Sequence, residues 1–262
     1  MRYILFLMLG IFLLSCNNKK QKNSTTSNEI NTPENALKND IKTYPDSIVL
    51  IQNLSAYYLN LEKYDAALAQ INTAILIDSN NADLRDNQSI IYAQKGDTIL
   101  AIKSLEKAVD IIAAPQYIIS LGALYAQTKN PQALAMADAL LFAKKSGAEK
   151  EAYFIKGLFY SYNNEKKKAI VFFDKCIGIS YTFMDAYLEK GIALYDLQKY
   201  TEAANVLQKA VTIQNNYDKG YYYLGRCFDK LNKRTEAIEA YQMAIAYDPN
   251  YEEAKDALSR LQ

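Results

Sequence analysis

The feature that most restricts this chain is a repeat. Gly225, Gly191 and Gly157 stand 34 residues apart, and Gly122 lies one residue out of phase with them. Four of the nine glycines therefore share one column. Three residues further on, an aromatic residue or leucine recurs at Tyr58, Tyr92, Tyr125, Tyr160, Leu194 and Phe228. In the second half of the period, alanine recurs at Ala67, Ala101, Ala135, Ala169, Ala203 and Ala237. A unit this short cannot bury its apolar face alone, so the units must stack into a linear array.

Each period reads as two amphipathic helices. In the last one, Tyr221, Leu224, Gly225 and Phe228 fall at i, i+3, i+4 and i+7; Ala237, Tyr241 and Ala244 follow at i, i+4 and i+7 after the turn Asn232-Lys233-Arg234. Glycine and alanine let paired helices approach, and Phe228 and Tyr241 fill the remaining space. Pro249 closes the second helix, where its missing N–H costs no interior hydrogen bond. Composition agrees, because 9 Gly and 5 Pro are too few for the turns of a sandwich, barrel or α/β fold.

The pattern resembles tetratricopeptide repeats, in which a large residue, Leu-Gly, Tyr, Ala, Phe, Ala and Pro recur over 34 residues. Tyr221, Leu224, Gly225, Phe228, Ala237, Tyr241, Ala244 and Pro249 match all eight positions if Tyr and Phe are interchangeable. Earlier units keep fewer of them, such as Tyr153, Gly157, Tyr160, Ala169 and Phe173. The resemblance implies an all-α fold, a right-handed superhelical solenoid of six helix pairs with a C-terminal capping helix. The units run 48–81, 82–115, 116–149, 150–183, 184–217 and 218–251. The third is irregular: its first helix (Ile118, Leu121, Gly122, Tyr125) sits one residue early, and Pro131 opens its second helix. Ala139 holds the aromatic position there, and an extra residue near Lys129-Asn130 is expected to restore the register.

Both ends need covers. Thr32-Pro33-Glu34 reads as an N-cap with proline at the first helical position, giving a short capping helix within 32–47. Within 252–262, Ala254, Ala257, Leu258 and Leu261 share one face of a second capping helix.

Residues 1–15 read as a signal peptide: Arg2 precedes an apolar run from Tyr3 to Leu14, too short to span a bilayer. Leu13-Leu14-Ser15-Cys16 resembles the lipobox of bacterial lipoproteins, which implies that Cys16 becomes the acylated N-terminus, carrying chains such as palmitate. Residues 16–31 are polar and without periodicity, a flexible tether. Asn17 after the cysteine resembles an outer-membrane sorting signal, and Lys19, Lys20 and Lys22 do not resemble an acidic surface-export signal. The expected location is thus the periplasmic side of the outer membrane.

Removal of the leader takes Arg2 and no acid, which leaves basic and acidic side chains balanced at 29. Nucleic acid is not expected as a partner, since phosphate neutralisation needs surplus Lys and Arg. With no His, imidazole-based catalysis and zinc sites are excluded. No Gly-rich phosphate loop or metal-ligand spacing is present, so neither an enzyme nor a cofactor is expected beyond the lipid on Cys16. Asp83, Asp86, Asp185 and Glu189 lie near the expected groove, where ordinary solvated charge accounts for them. Cys176 and Cys227 read as buried single thiols, and Lys166-Lys167-Lys168 as a solubilising patch.

The family resemblance implies that first helices line a concave groove that holds an extended peptide or partner helix. Its groove positions fall here on Phe154, Leu158, Tyr162, Leu188, Ile192, Tyr195, Tyr222, Arg226 and Lys230. Aromatics with an arginine dominate binding hot spots, although the same side chains would also serve to pack neighbouring helices. Gln52 and Ala56 replace the Lys and Asn with which some family members clamp a C-terminal carboxylate, so that ligand is not expected. Two functions are open. One is a membrane-anchored scaffold for a protein partner, most like the pilotin plan or an envelope-assembly adaptor. The other is an oligomerising envelope component that uses its convex face without a peptide ligand.

Overall fold

The computed structural model describes residues 32–143 and 147–262. Residues 1–31, with the leader, Cys16 and the tether, lie outside the described residues. Fourteen helices and no strand occur among the described residues, and none of these helices is long and apolar enough to cross a membrane. They fall into two compact units that divide between Ile112 and Ala113.

The first unit holds α1 (Pro33–Thr43), α2 (Ile48–Asn60), α3 (Tyr64–Ile77), α4 (Ala82–Lys95) and α5 (Thr98–Ile111). Thr32 caps α1, its Oγ1 accepting from the Asn35 N–H at 3.2 Å, with Pro33 at the first helical position. Leu37 and Ile41 of α1 cover the core of Ile51, Leu54, Ile71 and Ile91, and Tyr58 donates to Glu34 at 2.9 Å. Serine stands on the glycine column here. Ser55 turns its hydroxyl to the Ala67 carbonyl at 2.9 Å, so the close approach of α2 and α3 leaves no unpaired donor.

The second unit holds α6 (Pro115–Gln127), α7 (Gln132–Phe142), α8 (Glu149–Tyr162), α9 (Lys166–Ile179), α10 (Met184–Asp196), α11 (Tyr200–Ile213), α12 (Asp218–Lys230), α13 (Arg234–Tyr247) and α14 (Glu252–Ser259). Gly191 lies against Leu207 and Gly225 against Tyr241, so the small residue of each first helix receives the large residue of its partner helix. Ala257, Leu258 and Leu261 pack in one cluster with Tyr241 and Tyr222, Ala254 is buried, and Arg234 Nε donates to the Leu261 carbonyl at 2.8 Å. The last pair is covered in this way.

The turn inside each pair is as periodic as the helices. Backbone φ is positive at Glu62, Gly96, Lys129, Asn164, Gln198 and Asn232, six places of which only the third is out of phase, by one residue. Directly after each, an N–H donates back to the aromatic column: Lys63 to Tyr58, Asp97 to Tyr92, Asn130 to Tyr125, Glu165 to Tyr160, Lys199 to Leu194 and Lys233 to Phe228.

The expected recovery of register in the third unit does not occur. Ala133, Ala137 and Leu140 are the buried residues of α7, whereas Ala135 and Ala139 are exposed and Phe142 is 90% exposed. The helix therefore runs two residues ahead of the period. Asn130 accepts from the Gln132 N–H at 3.0 Å, and the first turn closes by i→i−3 bonds from Ala133 to Asn130 and from Leu134 to Pro131. That tight turn advances the face instead of delaying it. The compensating residues lie in the connection between Phe142 and Glu149, of which 144–146 are outside the described residues.

Candidate functional site

In the second unit the first helices α8, α10 and α12 pack successively on one another, while α9, α11 and α13 each stand behind a neighbouring pair. The first helices therefore line one inner face. Of the residues expected there, Phe154, Leu158 and Leu188 are core, at 4%, 0% and 3% exposure, and offer a ligand no surface. Their loss has a physical cause that the groove positions did not include. An aromatic residue precedes successive first helices at Phe183, Tyr217 and Tyr251, again 34 apart. Phe183 packs on Phe154 with ring centres 5.0 Å apart, and Tyr251 packs on Tyr222 at 4.9 Å. Tyr217, between them in the period, shares a buried cluster with Leu188. Tyr162, Ile192, Tyr195, Tyr222 and Arg226 remain half-buried on the face, and Lys230 is exposed at the end of α12.

Two features organise what is left. The first is an aromatic box around Arg226, whose guanidinium carbon lies 4.6 Å from the Tyr195 ring centre, 5.2 Å from Tyr223 and 5.8 Å from Tyr222. Cation–π attraction and the loss of rotamers hold this charge in place. The second is Glu189, one turn after Asp185 on α10. Glu189 is only 9% exposed, and among the described residues no hydrogen-bond donor or ion-pair partner meets its carboxyl group. Burial pushes it up to about 7, against the pull of Lys166, with Asp185 and Asp196 adding to the rise and Lys219 opposing it. Lys166 is itself engaged, at 2.7 Å from Asp196 and 3.2 Å from the Ser161 hydroxyl.

Tyrosines surround this carboxyl group. Burial pushes Tyr162 up to about 12, with Glu189 and Tyr223 contributing. Tyr217 is 8% exposed, its hydroxyl has no hydrogen-bond partner among the described residues, and Asp185 and Glu189 are both within its electrostatic reach. Asp185 is also raised by burial, against Lys219. In the first unit Asp86 is pushed up to about 6 by burial and by Asp83. Solvated charge thus describes neither Glu189 nor Asp86.

Paired helices in period, a covered end and a half-buried polar inner face define a helical-repeat scaffold. Tetratricopeptide repeat models match residues 50–81, 82–115, 150–183 and 194–261, more than half of the chain, which therefore belongs to the tetratricopeptide repeat family. The shifted third unit lies in none of these segments. Among solved structures, a tetratricopeptide repeat protein from Parabacteroides merdae is similar in fold, at 18% identity over 87% of this chain and 90% of that one, with a TM-score of 0.72. PilW, a type IV pilus biogenesis factor, is similar at 17% identity over 80% of this chain and 98% of that one, with a TM-score of 0.64. The anaphase-promoting complex structure Cut9–Hcn1 is similar at 18% identity over 87% of this chain and 46% of that one, with a TM-score of 0.59. No curated protein matches the sequence. As a tetratricopeptide repeat protein, the chain is a scaffold for protein–protein interaction.

Proposed function

We propose that this scaffold is anchored by lipid on Cys16 in a bacterial envelope, on the periplasmic side of the outer membrane, and that it holds a segment of another envelope protein on the inner face of its second unit. The Arg226 box carries the reading: Tyr195, Tyr222 and Tyr223 present large, rigid, half-buried surface around a fixed charge, the composition that dominates binding energy at protein interfaces. The short apolar run that ends at Leu13-Leu14-Ser15-Cys16 supports the anchor. A pilotin or an envelope-assembly adaptor fits this plan, since both need a rigid cradle tethered to a membrane. The test is a photo-crosslinking residue at Tyr195 in living cells, with Val171, exposed on α9, as the comparison. A heterologous envelope protein trapped from Tyr195 alone is the expected result. Crosslinks from Val171 alone, and only to a second copy of the chain, would replace this reading with the oligomerising one.

A further inference from the structure

Two polar groups of the second unit stand where the preceding repeat has hydrocarbon. Glu189 occupies the column of Ile155, which is 1% exposed and packs as core. Tyr217 occupies the column of Phe183, which packs its ring on Phe154 without a hydroxyl. Packing therefore requires neither the carboxyl group of Glu189 nor the hydroxyl of Tyr217. Both residues are about nine-tenths buried, the Tyr217 hydroxyl is fully buried without a partner among the described residues, the Glu189 carboxyl group makes no hydrogen bond or ion pair among them, and the two lie within electrostatic reach of each other. A buried acceptor without a donor is costly, and a donor supplied from outside would remove that cost.

The proposal rests on the inner-face reading above and specifies what the face takes. We infer that Glu189, Asp185 and Tyr217 together receive the cationic side chain, lysine or arginine, of the partner segment. Charge complementarity carries the choice of occupant. Asp185 and Glu189 stand one turn apart on α10, the buried Tyr217 hydroxyl lies within electrostatic reach of both, an ammonium or guanidinium group brings several donors, and aromatic rings favour a cation beside them. The chain's own cations do not fill it. Lys166 on α9 is bound to Asp196, and Lys219 on α12 acts on Asp185 and Glu189 without forming an ion pair with either among the described residues. Arg226, held in its tyrosine box, supplies the opposite charge on the same face, so a segment bearing a base and an acid would be oriented as well as bound.

A pH dependence follows. The groups that face Glu189 are Tyr162 on α8, Lys166 on α9, Asp185 and Asp196 on its own helix, Tyr217 before α12, and Lys219 on α12. Entry of a cation requires the ionised carboxylate, so the site takes its ligand at pH 8 and loses it towards pH 6.

The experiment titrates the full chain in detergent with acetyl-Ala-Ala-Lys-Ala-Ala-amide and its arginine, norleucine and glutamate counterparts. Tyrosine emission and peptide NMR line widths report binding. At pH 8 the lysine and arginine peptides are expected to bind about tenfold more tightly than norleucine, and glutamate least. Glu189→Gln removes that preference, and Tyr217→Phe weakens it several-fold without loss of stability, since an unpartnered hydroxyl adds none. Equal binding of lysine and norleucine peptides at pH 8, or a preference that survives Glu189→Gln, would overturn the proposal. If norleucine binding persists and Tyr195→Ala abolishes it, the inner-face reading stands and only the cation site falls. If no peptide binds and Tyr195 traps no partner in cells, both fall.

Discussion

A β-carbon on Gly191 would lie 2.7 Å from Leu207 Cγ and 2.8 Å from its Cδ2, nearer than side chains approach. The contact between α10 and α11 is therefore set by the absence of one methyl group. Gly191→Ala should cost about 1–3 kcal/mol in urea unfolding, because Leu207 is fully buried and cannot move aside. Removal of the obstacle tests the cause: the loss in Gly191→Ala/Leu207→Ala should be smaller than the sum of the two single losses. Gly178 is the control. It is helical and exposed, with nothing within 4 Å of its would-be β-carbon, so Gly178→Ala should gain about 0.5–1 kcal/mol.

The six positive-φ turns contain one glycine, at Gly96. Left-handed backbone strains an L residue by roughly 1–2 kcal/mol, of which the greater freedom of glycine in the unfolded chain takes back part. Gln198→Gly, at φ 62°, should raise stability by about 0.5–1 kcal/mol. Gln208→Gly, exposed within α11, should lower it by a similar amount, so thermal midpoints of the two variants should move in opposite directions.

The periodic turns show why so much of the fold was legible: column spacing places a helix pair without any knowledge of its neighbours. Where geometry depends on a neighbour, spacing was insufficient. Pro131 marks the start of the helix, but the inward rotation of Ala133 and Ala137 comes with the tight turn in which Asn130 accepts from the Gln132 and Ala133 N–H groups. The groove residues divided for the same reason. Phe154 and Leu188 occupy the family's ligand positions, yet the aromatic column of Phe183, Tyr217 and Tyr251 fills the space above that row. That column is a 34-residue recurrence in the sequence itself, outside the family's groove positions. As one of several acids Glu189 is inconspicuous, whereas Ile155 in the same column of the preceding repeat singles it out.

Cys176 and Cys227 are free thiols with no exposed surface, and burial pushes each up to about 12. Cys176 also donates to the Lys150 carbonyl at 3.2 Å. At pH 8 almost no thiolate is present at either, and reagent cannot reach them. Iodoacetamide should therefore leave both unmodified in the folded chain and alkylate both in urea, as read by peptide mass.

Anchoring predicts a clean separation. Each buried methylene of an acyl chain contributes about 0.8 kcal/mol, so under the proposed anchor the loss of Cys16 should convert durable membrane binding into none. Cys16→Ser should abolish incorporation of labelled palmitate and move the chain to the soluble fraction. An unlabelled wild-type chain, or a Cys16→Ser chain that still sediments with membranes, would remove the lipid from the account.

Stability should also carry the signature of Glu189, in the sense opposite to ordinary acid denaturation. Its carboxyl group releases a proton near 4.5 in the unfolded chain and at about 7 in the folded one, because burial disfavours the charge. Between those values the folded state binds more protons than the unfolded state, so stability falls as pH rises. The contribution is complete below pH 4.5 and is lost on approach to pH 7, amounting to as much as about 3 kcal/mol from a shift of this size. Asp86, raised to about 6, acts in the same direction in the first unit. Glu189→Gln keeps the shape of the protonated side chain but cannot ionise. Its urea stability should match wild type at pH 4 and exceed it at pH 8, and equal stabilities at both values would mean that Glu189 ionises in the folded chain as it does in water.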